Sequence, residues 1–357
     1  MLRKIIRITG YLVFLLVLAF VGLLSYSTLT DYRPEPESEE EVAIEGQAEL
    51  KNLPDSLSLL IWNIGYCGLG AEMDFFNDGG KTVRASEEQS ARYLNAVATF
   101  IGTMKDSADV VMIQEVDRNS KRSYNTDQIP VISKQLPGFA SSFALNYDVK
   151  FVPVPFSFPY TPSGKTYGGL VSFSHIPATR ATRVQYPGGF DWPTRLYMLD
   201  RCALELRYPL KDGKELIIVN THNTAYDATG EIKKVEMAFM KKRYEAEVAK
   251  GNRVIIGGDW NQVPPGFDSK HFSSNMSEGY TPQSLSVDML PKDFVVSYDS
   301  STATNRSNVT PYVADSTYTT LIDFFLSSPG LEVLDVHAID MQFRYSDHQP
   351  VLLKVAI

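Results

Sequence analysis

Short apolar runs that each end at a polar side chain constrain this chain more than any other feature of its sequence. Residues 57–62 (LSLLIW) and 110–113 (VVMI) are too short for helices and have the composition of buried strands. Similar runs recur along the chain at 169–174, 199–207, 216–221, 254–258, 322–326 and 351–355. With 44% hydrophobic residues, the chain can bury a sizeable core, which excludes global disorder.

Helical patterns separate some of these runs. Ser86 and Gln89 have the spacing of a capping box, and apolar residues at helical spacing follow them. A second helix is predicted over residues 231–250, ended by Gly251. Its predicted core-facing residues are Ile232, Val235, Phe239 and Ala246. Strands that alternate with helices, without an internal repeat, predict one mixed α/β domain.

Polar side chains suited to metal binding or proton transfer stand at six of the predicted strand ends. They are Asn63, Glu115, His222, Asp259 with Asn261, Asp323, and Asp347 with His348. One such residue is an ordinary loop feature, but six together favour a common site. That the strand ends converge in space is a hypothesis at this stage.

Hydrolysis of a phosphodiester would use such a set. Mg²⁺ prefers carboxylate and water ligands, which suits Glu115 and Asp347. The attacking water needs an orienting carboxylate, for which Asp259 is a candidate, and Asn261 is a candidate to hold a phosphate oxygen.

The developing charge needs a proton donor, which a histidine held by a carboxylate supplies. His348 with Asp323 fits that pairing, and His222 is a candidate second donor to the phosphate.

Seven segments carry a resemblance to a known family. LLIWNIG, VVMIQEVD, GGLVSFSHIP, IIVNTH, VIIGGDWN, LIDFFLSS and YSDHQPVLLKV resemble, in this order, the motifs of the endonuclease/exonuclease/phosphatase superfamily. The resemblance covers residues 57–357 and implies a four-layer α/β sandwich of two mixed β-sheets flanked by helices, as in DNase I. It also implies a phosphoesterase that depends on Mg²⁺ or Mn²⁺. By position it implies Asn63, Glu115 and Asp347 near the metal, Asp259 aligning the water, Asn261 contacting phosphate, and Asp323 orienting His348.

His222 indicates which members of the superfamily the chain resembles most. Its Asn-Thr-His context is similar to pancreatic-type deoxyribonucleases and neutral sphingomyelinases, whereas abasic-site endonucleases lack this histidine. The cysteine-bearing element of inositol polyphosphate 5-phosphatases is absent, because Thr320 to Asp323 stand in its place. Several members carry an acidic residue soon after the first asparagine, but here Gly65 and Tyr66 follow Asn63.

Two segments are candidates for substrate selection. Residues 151–167 are rich in proline and aromatic residues, and residues 188–195 bring Trp192 and Arg195 into a loop. Arg195 is a candidate phosphate clamp, because a guanidinium group matches phosphate oxygens. Whether Cys67 and Cys202 pair is left open by their spacing.

The N-terminus has the pattern of a membrane anchor. Residues 8–30 are uncharged, and Arg3, Lys4 and Arg7 precede them. About 20 apolar residues span a bilayer and basic residues stay cytoplasmic, so we expect a single transmembrane helix with the rest of the chain outside the cytoplasm, as in a periplasmic protein. The alternative is a cleaved signal peptide, for which residues 25–27 are a weak cleavage site.

Charge and composition divide the chain into three parts. Residues 1–30 are the predicted anchor, residues 31–52 an acidic, solvated spacer, and residues 53–357 the enzyme domain. Of the net charge of −8, residues 1–50 carry −4, so the domain has no basic surplus of the kind that binds nucleic acid tightly.

These observations predict a metal-dependent phosphodiester hydrolase outside the cytoplasm. Nucleic acid is the first substrate hypothesis and a phospholipid or sphingolipid headgroup the second, with an inositol phosphate as a further alternative. A binding module without catalytic activity is the alternative from a different class. No protein partner is inferred.

Overall fold

The computed structural model describes residues 1–44, 53–156, 160–273 and 282–357. In these ranges the helices are α1 (Leu2–Leu29), α2 (Glu87–Thr103), α3 (Gln128–Ser133) and α4 (Glu231–Ala249). The strands are β1 (Glu37–Glu40), β2 (Ala43–Ile44), β3 (Ser56–Asn63), β4 (Val110–Asp117), β5 (Ala140–Val152), β6 (Gly164–Ser174), β7 (Arg180–Gln185), β8 (Cys202–Pro209), β9 (Glu215–His222), β10 (Arg253–Asp259), β11 (Gln262–Val263), β12 (Gln283–Ser284), β13 (Val295–Ser297), β14 (Asn305–Arg306), β15 (Thr319–Thr320), β16 (Asp323–Ser327), β17 (Glu332–Ala338) and β18 (Val351–Ala356).

Two seven-stranded sheets organise the chain. Sheet A has the order β1-β7-β8-β9-β10-β16-β13, and sheet B has the order β17-β18-β3-β4-β6-β5-β2. Each is mixed, because one adjacent pair is parallel, β9 with β10 in sheet A and β3 with β4 in sheet B. Parallel neighbours need a crossover connection, and the helices α4 and α2 lie within these two crossovers.

Successive side chains of a strand lie on opposite faces of its sheet, and the cores that they join show the order of the layers. In β9, Ile218 lies in the core between the two sheets, while Ile217 and Val219 belong to the core that contains α4 residues. In β3, Ile61 faces the other sheet, whereas Trp62 belongs to the core that contains α2 and α3 residues. The order of layers is therefore α2 and α3, sheet B, sheet A, α4. The predicted four-layer sandwich of two mixed sheets is confirmed.

Both predicted helices are present, but the predicted core-facing side of α4 was only partly right: Phe239 packs against the core, whereas two of the other predicted residues are exposed. The capping box of α2 forms, since Gln89 N donates to Ser86 Oγ at 3.2 Å and Ser86 N donates to Gln89 Oε1 at 3.0 Å. In α4, Val235 is 45% exposed and Ala246 is exposed. The buried residues are Lys233, Glu236, Met237, Met240, Tyr244 and Glu247.

Hydrogen bonds explain the rotated face of α4. Glu236 accepts hydrogen bonds from the Thr224 backbone and hydroxyl, and Glu247 forms an ion pair with Arg207 at 3.1 Å. Partnered polar groups can be buried, so a pattern of apolar residues alone assigns the face of this helix incorrectly.

Every strand predicted from an apolar run is present, but several others were missed. The longest of these, Ala140–Val152, alternates buried with more exposed positions and contains polar residues throughout. Another, Glu332–Ala338, is an edge strand whose side chains are mostly exposed or half-buried. Antiparallel strands with one solvated face lack the continuous apolar run that marks a strand buried on both faces.

The prediction of a solvated spacer was wrong for part of residues 31–52. β1 pairs with β7 at the edge of sheet A, and β2 pairs with β5 at the edge of sheet B. Backbone hydrogen bonds to an open sheet edge do not require apolar side chains, which is why composition missed them. Residues 45–52 of the predicted spacer lie outside the described residues.

α1 is the one helix of the described chain that is long and apolar enough to cross a membrane. None of its most apolar stretch is buried against the rest of the protein. Cys67 and Cys202 are both buried and unpaired, and they belong to different cores.

Candidate active site

The ends of the two parallel strand pairs meet at one edge of the sandwich. Asn63 is the last residue of β3, while His222 and Asp259 are the last residues of β9 and β10. Asn63 Nδ2 donates to Asp259 Oδ2 at 3.0 Å, which joins the two sheets directly. The predicted convergence of polar strand ends therefore occurs, because parallel neighbours present their carboxyl ends at the same edge.

A bulge in β4 places Glu115 at this edge. The pairing of β4 with β6 shifts register between Ile113 and Val116, and Glu115 has a φ of +54°. Gln114 beside it donates to Asn220 Oδ1 at 2.7 Å, across the two sheets. Bulges redirect side chains, and a left-handed backbone at a non-glycine residue is a strain often found at functional sites.

Asn63 holds two carboxylates in place. Its Nδ2 donates to Glu115 Oε1 at 3.2 Å as well as to Asp259, and its Oδ1 accepts from Gly65 N at 2.9 Å. Gly65 has a φ of +49°, and a Cβ there would lie 2.8 Å from Asp347 Oδ1. Both the positive φ and this close approach favour glycine at position 65, two residues after the asparagine.

Asp323 and Asp259 control the charge of His348. His348 Nδ1 lies 2.8 Å from Asp323 Oδ2, and its Nε2 lies 3.8 Å from Asp259 Oδ2. Burial lowers the pKa of His348, but the two carboxylates outweigh burial and raise that pKa well above its usual value. The two carboxylates therefore favour the protonated form of His348.

His222 lies beside the same carboxylate, but its surroundings favour the neutral ring. Its Nε2 lies 3.4 Å from Asp259 Oδ2 and 3.9 Å from Glu115 Oε1. Burial, reinforced by the positive charges of Arg201 and His348, lowers the pKa of His222 well below its usual value. Its Nδ1 has no hydrogen-bond partner among the described residues.

Burial also tunes the two central carboxyl groups. Burial raises the pKa of Asp259 to about 6, with His348 opposing this shift and Asp323 adding to it. Burial raises the pKa of Glu115 too, opposed chiefly by Arg122. A carboxyl group with a pKa near 6 can accept and release a proton close to neutral pH.

Asp347 belongs to a second group of polar residues, two of which, Asp78 and Asn308, were not predicted from the sequence. Its Oδ2 accepts from Asn308 Nδ2 at 2.7 Å, and the same Nδ2 lies 3.1 Å from Asp78 Oδ2. Tyr226, from the loop after His222, donates to Asp78 Oδ1 at 2.9 Å. Asp78 and Asn308 stand in irregular segments without an apolar run beside them, so no strand-end signal marked them.

Arg195 differs from the sequence-based expectation, and Arg201 was not singled out from the sequence. Arg195, the predicted phosphate clamp, forms an ion pair with Asp31 at 3.2 Å and is not among the residues that contact the polar strand ends. Arg201, six residues on, is 8% exposed, and its Nη1 has no hydrogen-bond partner within the described ranges. Its charge lowers the pKa of His222 and opposes the raised pKa of Glu115, which places it beside the site.

Asn261 is positioned through its backbone as well as its side chain. It has a φ of +51°, and its N–H donates to Asp259 Oδ1 at 2.9 Å. Its Nδ2 donates to the Asn223 carbonyl at 3.0 Å, and Lys233 Nζ donates to its carbonyl at 3.0 Å. The turn after β10 thus fixes Asp259 and Asn261 relative to each other.

The donor set fits a hard divalent cation. Asn308 Nδ2 bridges the carboxylates of Asp78 and Asp347, and the charges of Asp347 and Glu115 add to the burial that raises the pKa of Asp78. Hard cations such as Mg²⁺ prefer carboxylate oxygens of this kind. Asp259, Asp323 and His348 could also offer atoms within 4.8 Å of one another, but a hydrogen bond between His348 and Asp323 already pairs two of them.

The family of the chain is decided by a match over most of its length. Residues 60–348 match the model of the Endonuclease/Exonuclease/phosphatase family. The chain belongs to this family. Its members are hydrolases of phosphoester bonds, and the family generally depends on divalent metal ions. No curated protein matches the chain in sequence.

Solved structures agree with the fold. An endonuclease/exonuclease/phosphatase from Beutenbergia cavernae DSM 12333 is 16% identical, with a TM-score of 0.52 over 85% of this chain and 72% of that chain. A family protein from Leptotrichia buccalis C-1013-b is 14% identical, with a TM-score of 0.53 over 84% and 100%. ANGEL2, a 2′,3′-cyclic phosphatase in complex with adenosine-2′,3′-vanadate, is 16% identical, with a TM-score of 0.51 over 90% and 99%.

Proposed function

We propose that this chain is a metal-dependent phosphodiesterase whose domain lies outside the cytoplasm. The observation that carries the proposal is a buried carboxylate, Asp259, with an imidazole on each side at 3.4 and 3.8 Å. The two imidazoles have opposite pKa shifts, so one can donate a proton while the other is neutral. Such an arrangement suits acid–base catalysis at phosphorus.

The proton path follows from these pKa values. Asp259, with a pKa of about 6, orients the attacking water and accepts its proton. His348, held as an imidazolium by Asp323, donates a proton to the leaving oxygen. Asn261 beside them holds a phosphate oxygen through its amide.

Arg201 is the phosphate-binding residue in this proposal, in place of Arg195. A buried guanidinium group with an unpaired Nη1 is costly unless an anion compensates it. The phosphate of the substrate provides that anion, and the planar guanidinium group matches two of its oxygens.

Glu115 and Asp347 would hold Mg²⁺ or Mn²⁺, with Asn63 fixing Glu115 and Asn308 fixing Asp347. When bound, the ion neutralises charge on a nonbridging phosphate oxygen. Asp78 is a further carboxylate at this position.

The topology is part of the proposal. Arg3, Lys4 and Arg7 precede α1, and basic residues favour the cytoplasmic side of a membrane. The domain that follows α1 would therefore lie on the other side, with α1 retained as its anchor.

The test uses the full chain in detergent with bis(4-nitrophenyl) phosphate. We expect hydrolysis that requires Mg²⁺ or Mn²⁺, that stops with a chelator, and that falls on the order of 10³-fold in Asp259→Asn. Asp106→Asn, at an exposed position after α2, is the matched control and should keep full activity. Equal rates in Asp259→Asn and the control would contradict the assigned site.

A further inference from the structure

The end of α1 is docked onto a loop of the domain. We define the docking loop as residues 186–201, between β7 and β8. Trp192 Nε1 in this loop donates to Thr28 Oγ1 at 3.1 Å, and Tyr197 OH donates to Ser27 Oγ at 3.1 Å. Ser27 is only 6% exposed, so the domain covers the face of the last turn of α1 that carries Ser27.

These contacts lie at the level where a spanning helix leaves the membrane. The apolar stretch of α1 ends at Leu29, and the first charge after it, Asp31, pairs with Arg195 of the docking loop. Trp192 of the docking loop is 53% exposed. Tyr26, near the end of α1, is 49% exposed. Tryptophan and tyrosine concentrate at the membrane–water interface, so both side chains suit contact with lipid headgroups.

The connection between α1 and β1 is too short for the domain to move far from the bilayer. Only residues 32–36 separate Asp31 from β1, and β1 is an integral strand of sheet A. Gln185 N, at the end of β7, donates to the Pro36 carbonyl at 2.9 Å, which fixes the last residue of this connection. An uncleaved α1 thus holds the docking loop at the membrane surface.

The docking loop leads directly into the active site. It ends at Arg201, the phosphate-binding residue proposed above, immediately before β8. A cavity of about 110 Å³ runs beneath the loop, and its lining includes Asp31, Arg201, Thr224 and Glu236. Asp31 follows the membrane helix and Arg201 is the proposed phosphate ligand, so one cavity is lined both by the membrane end of α1 and by a residue assigned to phosphate binding.

The charges of this cavity suit a single phosphate better than a nucleic-acid strand. Its acidic and basic lining residues are Asp31, Arg195, Asp200, Arg201 and Glu236. Proteins that bind nucleic-acid strands provide a continuous basic track for the phosphates. Here acidic groups surround Arg201, and the whole chain has a net charge of −8.

We propose that the substrate is the phosphodiester headgroup of a lipid in the bilayer that α1 spans, admitted beneath the docking loop. This inference rests on the proposed function. Water adds to phosphorus and passes a proton to Asp259, while one phosphorus–oxygen ester bond breaks and the leaving oxygen takes a proton from His348. The products are a phosphomonoester and an alcohol, one of which stays in the membrane.

The test reconstitutes the full chain into vesicles with equal parts phosphatidylcholine, phosphatidylethanolamine, phosphatidylglycerol and sphingomyelin, with Mg²⁺. Single-stranded DNA and bis(4-nitrophenyl) phosphate are offered to the same preparation, and products are followed by ³¹P NMR and electrophoresis. We expect metal-dependent cleavage of at least one lipid, absent in Asp259→Asn, and no cleavage of DNA. Cleavage of the soluble diester or of DNA without any lipid product overturns the lipid assignment and leaves the proposed function intact. If none of the substrates is cleaved, the proposed function is overturned, and the lipid assignment with it.

A second variant separates docking from catalysis. The double substitution Trp192→Ala with Tyr197→Phe removes both hydrogen bonds to α1 and leaves every residue of the catalytic cluster in place. We expect lipid hydrolysis to fall at least tenfold, with hydrolysis of the soluble diester unchanged, which also shows that the variant is folded. Val287→Ala, at a 70% exposed apolar position, is the control and should change neither rate. Unchanged lipid hydrolysis in the double variant overturns admission along the docking loop.

Discussion

Two histidines beside one carboxylate differ in charge because of their other neighbours. His348 has Asp323 at 2.8 Å, whereas the positive charge of Arg201 acts on His222. Burial lowers the pKa of both rings, so the second neighbour decides which of them keeps a proton. At the scale of single residues, the difference between the pKa values of the two histidines therefore comes from these neighbours and not from residue type.

The pair formed by His348 and Asp323 gives a prediction on turnover. Asp323→Asn keeps the size of the side chain but removes the charge that keeps His348 protonated, so kcat should fall on the order of 10²-fold or more. KM for a soluble diester should change little, since Asp323 is 1% exposed and pairs with His348. Steady-state kinetics measure both constants. A variant that raises KM and leaves kcat unchanged would show that Asp323 acts in binding.

Glu247 gives a prediction on acid stability. Burial opposes its ionisation, but Arg207, Lys250 and Asn252 outweigh burial and lower the pKa of Glu247 to about 2. A carboxyl group with a lowered pKa stabilises the fold above its unfolded-state pKa of about 4.3, and this contribution is lost as the pH falls towards 2. Since its partner Lys250 is largely exposed and that ion pair is screened by solvent, we expect about 1 kcal/mol.

Urea unfolding between pH 6 and pH 2.5 tests this contribution. The free energy of unfolding should decrease less steeply with falling pH in Glu247→Gln than in the unchanged protein. Glu332→Gln, at an exposed edge position, is the control and should keep the original slope. Parallel curves for all three proteins would exclude a stabilising role for the ionised Glu247.

At the scale of elements, the strands at the sheet edges contribute more than composition suggests. β1 covers β7 over four paired residues, and Glu37 in β1 forms an ion pair with Arg243 of α4 at 2.6 Å. Without β1, the edge of β7 would expose unpaired backbone groups, which favours aggregation.

Truncation tests the contribution of these edge strands. A chain of residues 31–357 keeps β1 and β2, whereas residues 53–357, the domain predicted from composition, lacks both. We expect the shorter chain to be less stable by about 2–4 kcal/mol, because each backbone hydrogen bond contributes roughly 0.5–1.5 kcal/mol. Chemical unfolding of the two chains measures the difference. Equal stability would restore the spacer interpretation.

At the scale of the whole molecule, α1 and the domain contact each other. The last turn of α1 contacts the docking loop, so cleavage after Ser27 would remove the hydrogen bond from Tyr197. Retention of α1 is therefore expected on structural grounds as well as from its length.

Alkaline carbonate extraction tests that retention. The protein should stay in the membrane fraction, since a spanning helix is not released by high pH. Deleting residues 2–29 is the control and should release the chain. If the full-length gene gives a soluble protein that is shortened at its N-terminus, α1 is a cleaved signal peptide instead.

The sequence determined those parts of the protein that depend on local pattern. Continuous apolar runs marked the central strands, because such strands are buried on both faces, and the capping box located the start of α2. Polar residues at strand ends could be recognised because parallel strands bring their carboxyl ends together. The family resemblance then supplied the four-layer arrangement.

Tertiary structure alone decided the features that depend on distant neighbours. Arg201 became a candidate phosphate ligand only when its burial and its unpaired Nη1 were seen, and Asp78 only through its approach to Asn308. The edge strand Glu37–Glu40 and the docking of α1 likewise carry no local signal. Backbone pairing, burial and electrostatic coupling arise between residues far apart in the chain, so a local pattern of residue types does not contain them.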